Sequence, residues 1–557
     1  MKVQLRCWYL PQLIIILLIN MAISAEISWK AEGGKGLVVA GKAEAVAAGV
    51  EMLQAGGNAA DAAVAALLVL SVKHVGAFCI GGEVPVIVFD READEVKVLS
   101  GQGAAPLDPQ AIEWYLKKGI PGSDIRAAAV PAVIDLCVTL LQKYGTFTFT
   151  ETVQPTLRIL DQGGPSWYVD TADRDTIETG RNWYADLAVT LRKLVEAEQA
   201  AIGRREEKLP AVSNRFYRGD IADELDAWYR KQGGFLRKMD LIAHLTRVEE
   251  PLQVDYQGYT VYKCGPWTQG PYLLQALQLL KGFDLPQMGF LSADYIHTVV
   301  EAMKLALADR DAYYGDPRFS TIPIQPLLSD QYADIRRPLI DMQKASQELI
   351  PGDPYQLKPR SARPMPQTEQ GGTTTLCVSD RWGNVVVATP SGLGSTAGSG
   401  GKTGVIHGTR LISLNTWKGH PNCIEPGKRP RITLTPTLVM KEGKPVMAIS
   451  IAGGDLQDQV ALQLLLDYIH FGMLPAEAVK APRFATGHHI GSFGQDPPRL
   501  GSLQLQATIS AEMAEELAKR GHQVSVRKGG IGGAALLVID PQSGTGYGAG
   551  AYAGGVE

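Results

Sequence analysis

The sequence predicts an α+β protein in which helices and sheets stack in layers. Three observations lead there. The chain has 557 residues, 45% of them hydrophobic and 20% charged, an ordinary globular balance with ample length to bury a large core. Ahead of about residue 370 the apolar residues recur mainly at helical spacing; beyond it they recur mainly at strand spacing. No internal repeat divides the chain. The helix-rich first part and strand-rich second part fit two domains, or equally two halves of one layered domain with helices outside and sheets within.

The first residues read as a targeting segment. Lys2 and Arg6 precede the apolar run Leu13-Ile14-Ile15-Ile16-Leu17-Leu18-Ile19, and small residues follow up to Ala25. That order is a secretory signal, residues 1–25, too short in its apolar part for an ordinary membrane span. An uncleaved anchor is the alternative. Cleavage implies a periplasmic or secreted protein with no stable span left.

Val38-Val39-Ala40 reads as a strand, and Val46, Val50 and Leu53 mark one face of a helix. Gly56-Gly57 stops it; Asn58 caps the next helix, with Asp61 in its favourable first turn. Val84 to Phe89 and Glu95 to Leu99 form a hairpin. Val133 to Tyr144, Thr152 to Leu160 and Asn182 to Glu198 are amphipathic. Gln257 to Tyr262 is a strand, Leu273 to Leu280 a helix, and Ala293 to Tyr313 a long helix with Ile296, Val299, Val300, Met303 and Leu307 as its buried stripe. Strands then dominate: Thr375 to Ser379, Val385 to Thr389, Leu411 to Leu414, Leu434 to Met440, Val446 to Ile451 and, last, Ala535 to Ile539. Helices return at Leu456 to Phe471, Ala476 to Ala481 and Ala511 to Arg520.

Net charge is -4, with no basic run or basic stripe with aromatics, so nothing points to nucleic acid. Of six cysteines Cys7 leaves with the signal; the remaining five are scattered and odd in number, which reads as buried thiols rather than a disulfide framework. No cysteine or histidine spacing suggests a metal, and the chemistry below calls for no cofactor. Gly398-Ser399-Gly400-Gly401-Lys402-Thr403 mimics a phosphate loop, but Thr396 stands where a glycine is needed and no helix follows. The histidines sit in unrelated settings, with no nucleophile elbow.

The chemistry centres on Gly371-Gly372-Thr373-Thr374-Thr375. A proline-rich lead runs into two glycines, and a hydroxyl residue opens a strand. This suits a chain that cuts itself and uses the new terminal Thr373 as nucleophile; alone it also fits a loop before a Thr-rich strand. Ala452-Gly453-Gly454-Asp455 follows a buried strand and precedes a helix. Such a turn exposes N–H groups that can hold an oxyanion, or is a plain connection.

Ala55-Gly56-Gly57-Asn58-Ala59-Ala60-Asp61-Ala62-Ala63, Glu301-Ala302-Met303-Lys304-Leu305-Ala306, Gly427-Lys428-Arg429-Pro430, Leu434-Thr435-Pro436-Thr437 and Ala481-Pro482-Arg483-Phe484 together resemble the γ-glutamyltransferase family, in order from about Gly36 to Asp540. The resemblance implies an Ntn-hydrolase fold, a four-layer αββα sandwich formed jointly by a large subunit, residues 26–372, and a small catalytic subunit, residues 373–557, cut from one precursor between Gly372 and Thr373. It implies Thr373 as nucleophile and α-amino base, Gly453 and Gly454 as the oxyanion hole, and Ser391 as the hydroxyl supporting the nucleophile. The expected partners are a small amide substrate and water or an amine acceptor.

The recognition positions depart from the family. Gln102 replaces an Arg that grips the substrate α-carboxylate, Ile432-Thr433 replaces a Ser-Ser pair, and Asn415-Thr416-Trp417-Lys418-Gly419 lacks the acid for the substrate ammonium. Losing a bidentate Arg or an acid costs about 1–3 kcal/mol of binding. Gln102, Thr433 and Asn415 are thus the substrate-binding candidates, and these segments resemble the acylase-like and amidohydrolase-like branches. A glutathione-type γ-glutamyl amide, another acyl amide, and a non-catalytic binding protein are the three readings.

Overall fold

The computed structural model describes residues 26–163, 183–361, 373–392 and 397–557. The signal segment and Gly371-Gly372 lie outside them. In chain order the strands are β1 (Ser28–Gly33), β2 (Gly36–Ala40), β3 (Val84–Asp90), β4 (Glu95–Gly101), β5 (Val248–Glu249), β6 (Leu252–Tyr256), β7 (Tyr259–Lys263), β8 (Leu376–Asp380), β9 (Val385–Ala388), β10 (Thr437–Lys441), β11 (Lys444–Ala452), β12 (Phe484–Ala485), β13 (Ser502–Gln506), β14 (Gln523–Arg527), β15 (Gly533–Ile539) and β16 (Gly546–Val556).

One antiparallel array runs β5-β4-β3-β9-β8-β2-β16-β15-β11-β10-β7-β6, with β1 against β16; β12, β13 and β14 form a separate sheet. The array doubles over at β16. Its residues Gly546 to Ala549 pair with β15, and its residues Tyr552 to Val556 pair with β2. Cys377 Sγ of β8 lies 3.5 Å from Ala535 O of β15 and 3.6 Å from Ala448 O of β11, so the two halves meet face to face.

Alternation builds the layers. In β9, Val386 and Ala388 face one apolar cluster with the helices Ala43–Gln54, Ala59–Lys73 and Val133–Tyr144, while Val385 and Val387 face the inter-sheet cluster with Leu438, Ala448 and Leu537. On the far side Val446, Ile449, Leu536 and Val538 pack on the helices Pro271–Leu280, Ala293–Tyr313 and Gln457–Phe471. Strands buried on both faces read as continuous apolar runs, and three clusters between four layers make the αββα sandwich.

Asn58 caps its helix as expected, with Asp61 completing a capping box, and Asp380 Oδ2 accepts the Ala59 N–H at 2.9 Å, tying the β8–β9 turn to the same helix end. The five cysteines in the described residues are free and buried. Three readings change. Leu411 to Leu414, read as a strand, sits in a 3-10 turn, Arg410–Ser413. The strand expected from Leu434 starts at Thr437. And β16, GYGAGAYAGGV, is a strand despite glycines that disfavour one. Close approach explains them: a Cβ at Gly555 would meet Glu32 O at 1.8 Å, and one at Gly548 would meet Val39 Cγ2 at 2.6 Å.

Candidate active site

Thr373 stands just before β8. Leu376 pairs with Ala388, and the Thr374 N–H donates to Pro390 O at 2.9 Å, so the ladder runs past the strand ends. That register sets Ser391 across from Thr373. Gly41 closes the other side, its N–H donating to Thr375 O at 3.2 Å. Thr373, Thr374, His74, Ala452 and Gly532 line part of a cavity of about 450 Å³ at this end of the sandwich.

The Ser391 hydroxyl accepts from Arg410 Nη2 at 2.7 Å, and the Arg410 guanidinium ion-pairs with Glu83. All three are buried. Glu83 and Ser391 also exchange backbone hydrogen bonds of 2.9 and 3.0 Å. Burial pushes the Glu83 carboxyl up, and Arg410 only partly offsets it.

β11 ends at Ala452, and the chain turns through Gly453 (φ +147°) and Gly454 (φ +59°), where a side chain would be strained. Among the described residues neither glycine N–H is bonded to a backbone carbonyl, so both remain available to an incoming oxygen. Asp455 fixes the turn. It accepts from Arg310 Nη1 at 2.6 Å and from the Ser492 N–H at 2.9 Å. Arg310, fully buried, also donates to Gln269 Oε1 and Ile490 O, both at 2.8 Å. Burial alone would raise the Asp455 carboxyl; Arg310, His489 and Arg431 reverse this and hold it well below the usual carboxylate range.

The structure adds Gln457, the first residue of the Gln457–Phe471 helix, which sequence reasoning missed. Ile451 O (3.2 Å) and Thr433 O (2.9 Å) face one end of its amide, so that end is the NH2, and its oxygen accepts from Thr373 Oγ1 at 3.2 Å. Its only sequence signal is its place, three residues beyond Gly454.

The recognition candidates separate. Thr433 is buried beside this site, its carbonyl accepting from Gln269 at 3.2 Å. Gln102 is buried and lines a different cavity of about 220 Å³ with Arg247, Arg318 and Arg429. Its Nε2 donates to Pro430 O at 2.5 Å, while its Oε1 has no partner among the described residues. Asn415 is occupied within its own loop, its Oδ1 accepting from the Trp417 N–H at 3.1 Å and its amide nitrogen 3.0 Å from His420 Nδ1.

His74 Nδ1 lies 3.0 Å from Thr374 Oγ1; burial, then Lys42, lowers its pKa to about 4, so it is neutral at neutral pH. The loop Gly401–Thr403 is a single 3-10 turn, and Trp228 packs on Gly401. Among the described residues His297, Glu301 and His522 bring potential metal-ligand atoms within 4.8 Å of one another. Glu301 there already holds Lys304 at 2.6 Å and the two imidazoles bond each other at 2.9 Å, so internal partners account for the cluster.

A model of the gamma-glutamyltranspeptidase family matches residues 45–554. A glutathione hydrolase proenzyme of Bacillus subtilis (strain 168) is 28% identical, covering 92% of this chain and 89% of that protein. Acylase ACY 1 proenzyme of Pseudomonas sp. (strain SE83) is 29% identical, covering 92% and 91%. The crystal structure of cephalosporin acylase from Bacillus halodurans superposes with a TM-score of 0.77 at 26% identity, covering 95% of this chain and 97% of that one.

Proposed function

The chain belongs to the gamma-glutamyltranspeptidase family of Ntn-hydrolase enzymes, and from that premise we propose that it is an exported amide hydrolase, self-cleaved between Gly372 and Thr373, that works through an acyl-Thr373 intermediate. The observation that carries this is the Thr373 hydroxyl at the head of β8, across the ladder from Ser391 and hydrogen-bonded to Gln457.

In the precursor Thr373 Oγ1 attacks the Gly372 carbonyl carbon. The C–O bond forms, the C–N bond breaks, and the hydroxyl proton passes to the Thr373 nitrogen. That shift frees the α-amine, and water then hydrolyses the ester, separating residues 26–372 from 373–557 and restoring the Thr373 hydroxyl beside it. Such an amine titrates at about 7.7–8.0, so near neutral pH it serves as base for its own hydroxyl. Thr373 attacks the substrate amide, the N–H groups of Gly453 and Gly454 hold the oxyanion, and Ser391, held by Arg410, supports the nucleophile. Water or an amine takes the acyl group. Residues 1–25 would direct the chain to the periplasm or outside; no described helix is long and apolar enough to cross a membrane.

A γ-glutamyl amide of the glutathione type is one substrate reading. A non-glutamyl acyl amide is favoured over it by Gln102, which puts a neutral amide where a carboxylate clamp is needed, and by Asn415, whose side chain is bound in its own loop. Initial rates on a γ-glutamyl anilide and on glutaryl and other acyl amides test the proposal. We expect higher kcat/KM on an acyl amide and no turnover in Thr373→Ala. An inert, unsplit wild type would support the binding-protein reading instead.

A further inference from the structure

We infer that Gln457 orients the Thr373 hydroxyl for both self-cleavage and turnover, an inference that rests on the nucleophile role proposed above. Three features carry it. First, its surroundings assign the amide orientation: only the NH2 group can donate to the two main-chain carbonyls, so the oxygen faces the hydroxyls of Thr373 at 3.2 Å and Thr433 at 3.4 Å. Second, Gln457 is 1% exposed, so its own amide is shielded from water even though Thr373 borders a cavity. Third, the helix start is pinned by the two residues that follow Gln457. Asp458, fully buried, holds Lys263 Nζ at 2.6 Å, and Lys263 in turn donates to Thr435 O and Thr437 Oγ1 at 3.0 and 2.8 Å. Gln459 Nε2 donates to Thr486 O at 2.9 Å.

A rotation of the Gln457 side chain would give up its bonds to the carbonyls of Ile451 and Thr433, of which the second keeps only Gln269 Nε2 at 3.2 Å, so the amide is held in place. Thr373 Oγ1 has one hydrogen. With that hydrogen directed at Gln457, the oxygen lone pairs point elsewhere, free to meet a carbonyl carbon. The amide exchanges no proton; it holds the hydroxyl until the proton leaves for the Thr373 nitrogen. The same contact serves the uncut chain, in which that nitrogen is still part of a peptide bond, and the cut one. The oxyanion donors lie on the turn between Ile451 and Gln457, so one helix start places nucleophile and oxyanion hole together.

The test uses the full chain. The half-time of self-cleavage is read on denaturing gels, and kcat and KM on the acyl amide that the wild type takes. In Gln457→Leu we expect both cleavage and kcat to slow by about 100-fold, the scale of a misplaced reacting atom, with KM within about threefold. Gln457→Glu keeps the shape. Protonated, it offers one O–H to a carbonyl and one oxygen to Thr373; ionised, it sets negative charge against two carbonyls. Its cleavage rate relative to wild type should therefore fall as pH rises, a dependence that loss of packing alone does not produce. The charged groups packed beside it, Asp455 with Arg310 and Asp458 with Lys263, are common to both proteins and cancel in the ratio. Cleavage and kcat in Gln457→Leu within about threefold of wild type, or a flat ratio for Gln457→Glu, overturns the inference alone. An inert, uncut wild type overturns the nucleophile role and this inference with it. Should Gln457→Leu not fold, the Gln457→Glu ratio decides.

Discussion

Arg310, behind the Gly453-Gly454 turn, and Gln102 are both buried but differently bonded. Arg310 reaches Asp311, Asp455, Gln269 and Ile490 O, and two of these hold the turn: Asp455 lies in it and Gln269 donates to Gly454 O at 3.3 Å. Among the described residues Gln102 makes one side-chain hydrogen bond, to Pro430 O, and its Oε1 is unpartnered beside a cavity. A saturated buried network is rigid, and rigidity is what a transition-state site needs. An unsatisfied buried acceptor at a cavity wall is open to a ligand donor. The contrast sets a fixed turn and an open cavity wall side by side in one fold.

Breaking the saturated side gives the largest expected effect. Arg310→Met leaves Asp311 and Asp455 buried without their partner and should cost about 3–5 kcal/mol, read by denaturant unfolding, with loss of turnover.

The shell behind Ser391 gives an intermediate one. His407 is buried, 2.6 Å from Tyr229 Oη and 2.7 Å from Val405 O, and burial lowers its pKa to about 4. A depressed folded pKa means the unfolded chain binds more protons between that value and the ordinary 6.5. The stability is fully present above 6.5 and is lost as pH falls towards 4. At pH 5 the loss from this residue should be about 2 kcal/mol, so the fall in melting temperature from pH 7 to pH 5 should shrink in His407→Gln.

The open side gives the smallest effect on the fold and the sharpest on specificity. Gln102→Ala should cost about 1 kcal/mol or less of stability and leave the rate of self-cleavage unchanged, while altering KM for acyl donors. A slowed self-cleavage would show that the two regions are not separable.

Much of the frame was legible in the sequence because it follows from local rules. The unbroken apolar run of β9 required burial on both faces, Asn58 announced its cap with Asp61 in the first turn, and the paired glycines after β11 marked the turn. The Trp183–Ala200 helix was read within a few residues. Contacts between distant parts were not legible. Ser391, Arg410 and Glu83 are joined only by folding, with Glu83 and Arg410 separated by 327 positions. Gln457 sits in an apolar helix with nothing local to set it apart. β16 hid because its glycines answer neighbouring strands rather than its own backbone, and Arg410–Ser413 was read from apolar residues that pack as a turn.

The central claim is that Thr373 is a nucleophile created by cutting the chain before it. N-terminal sequencing of the fragments of freshly folded protein, on wild type and Thr373→Ala, tests it most directly. The account predicts a fragment that begins with Thr373-Thr374-Thr375-Leu376 in the wild type and an uncut chain in the variant. An uncut wild type, or the same fragment from Thr373→Ala, would contradict it.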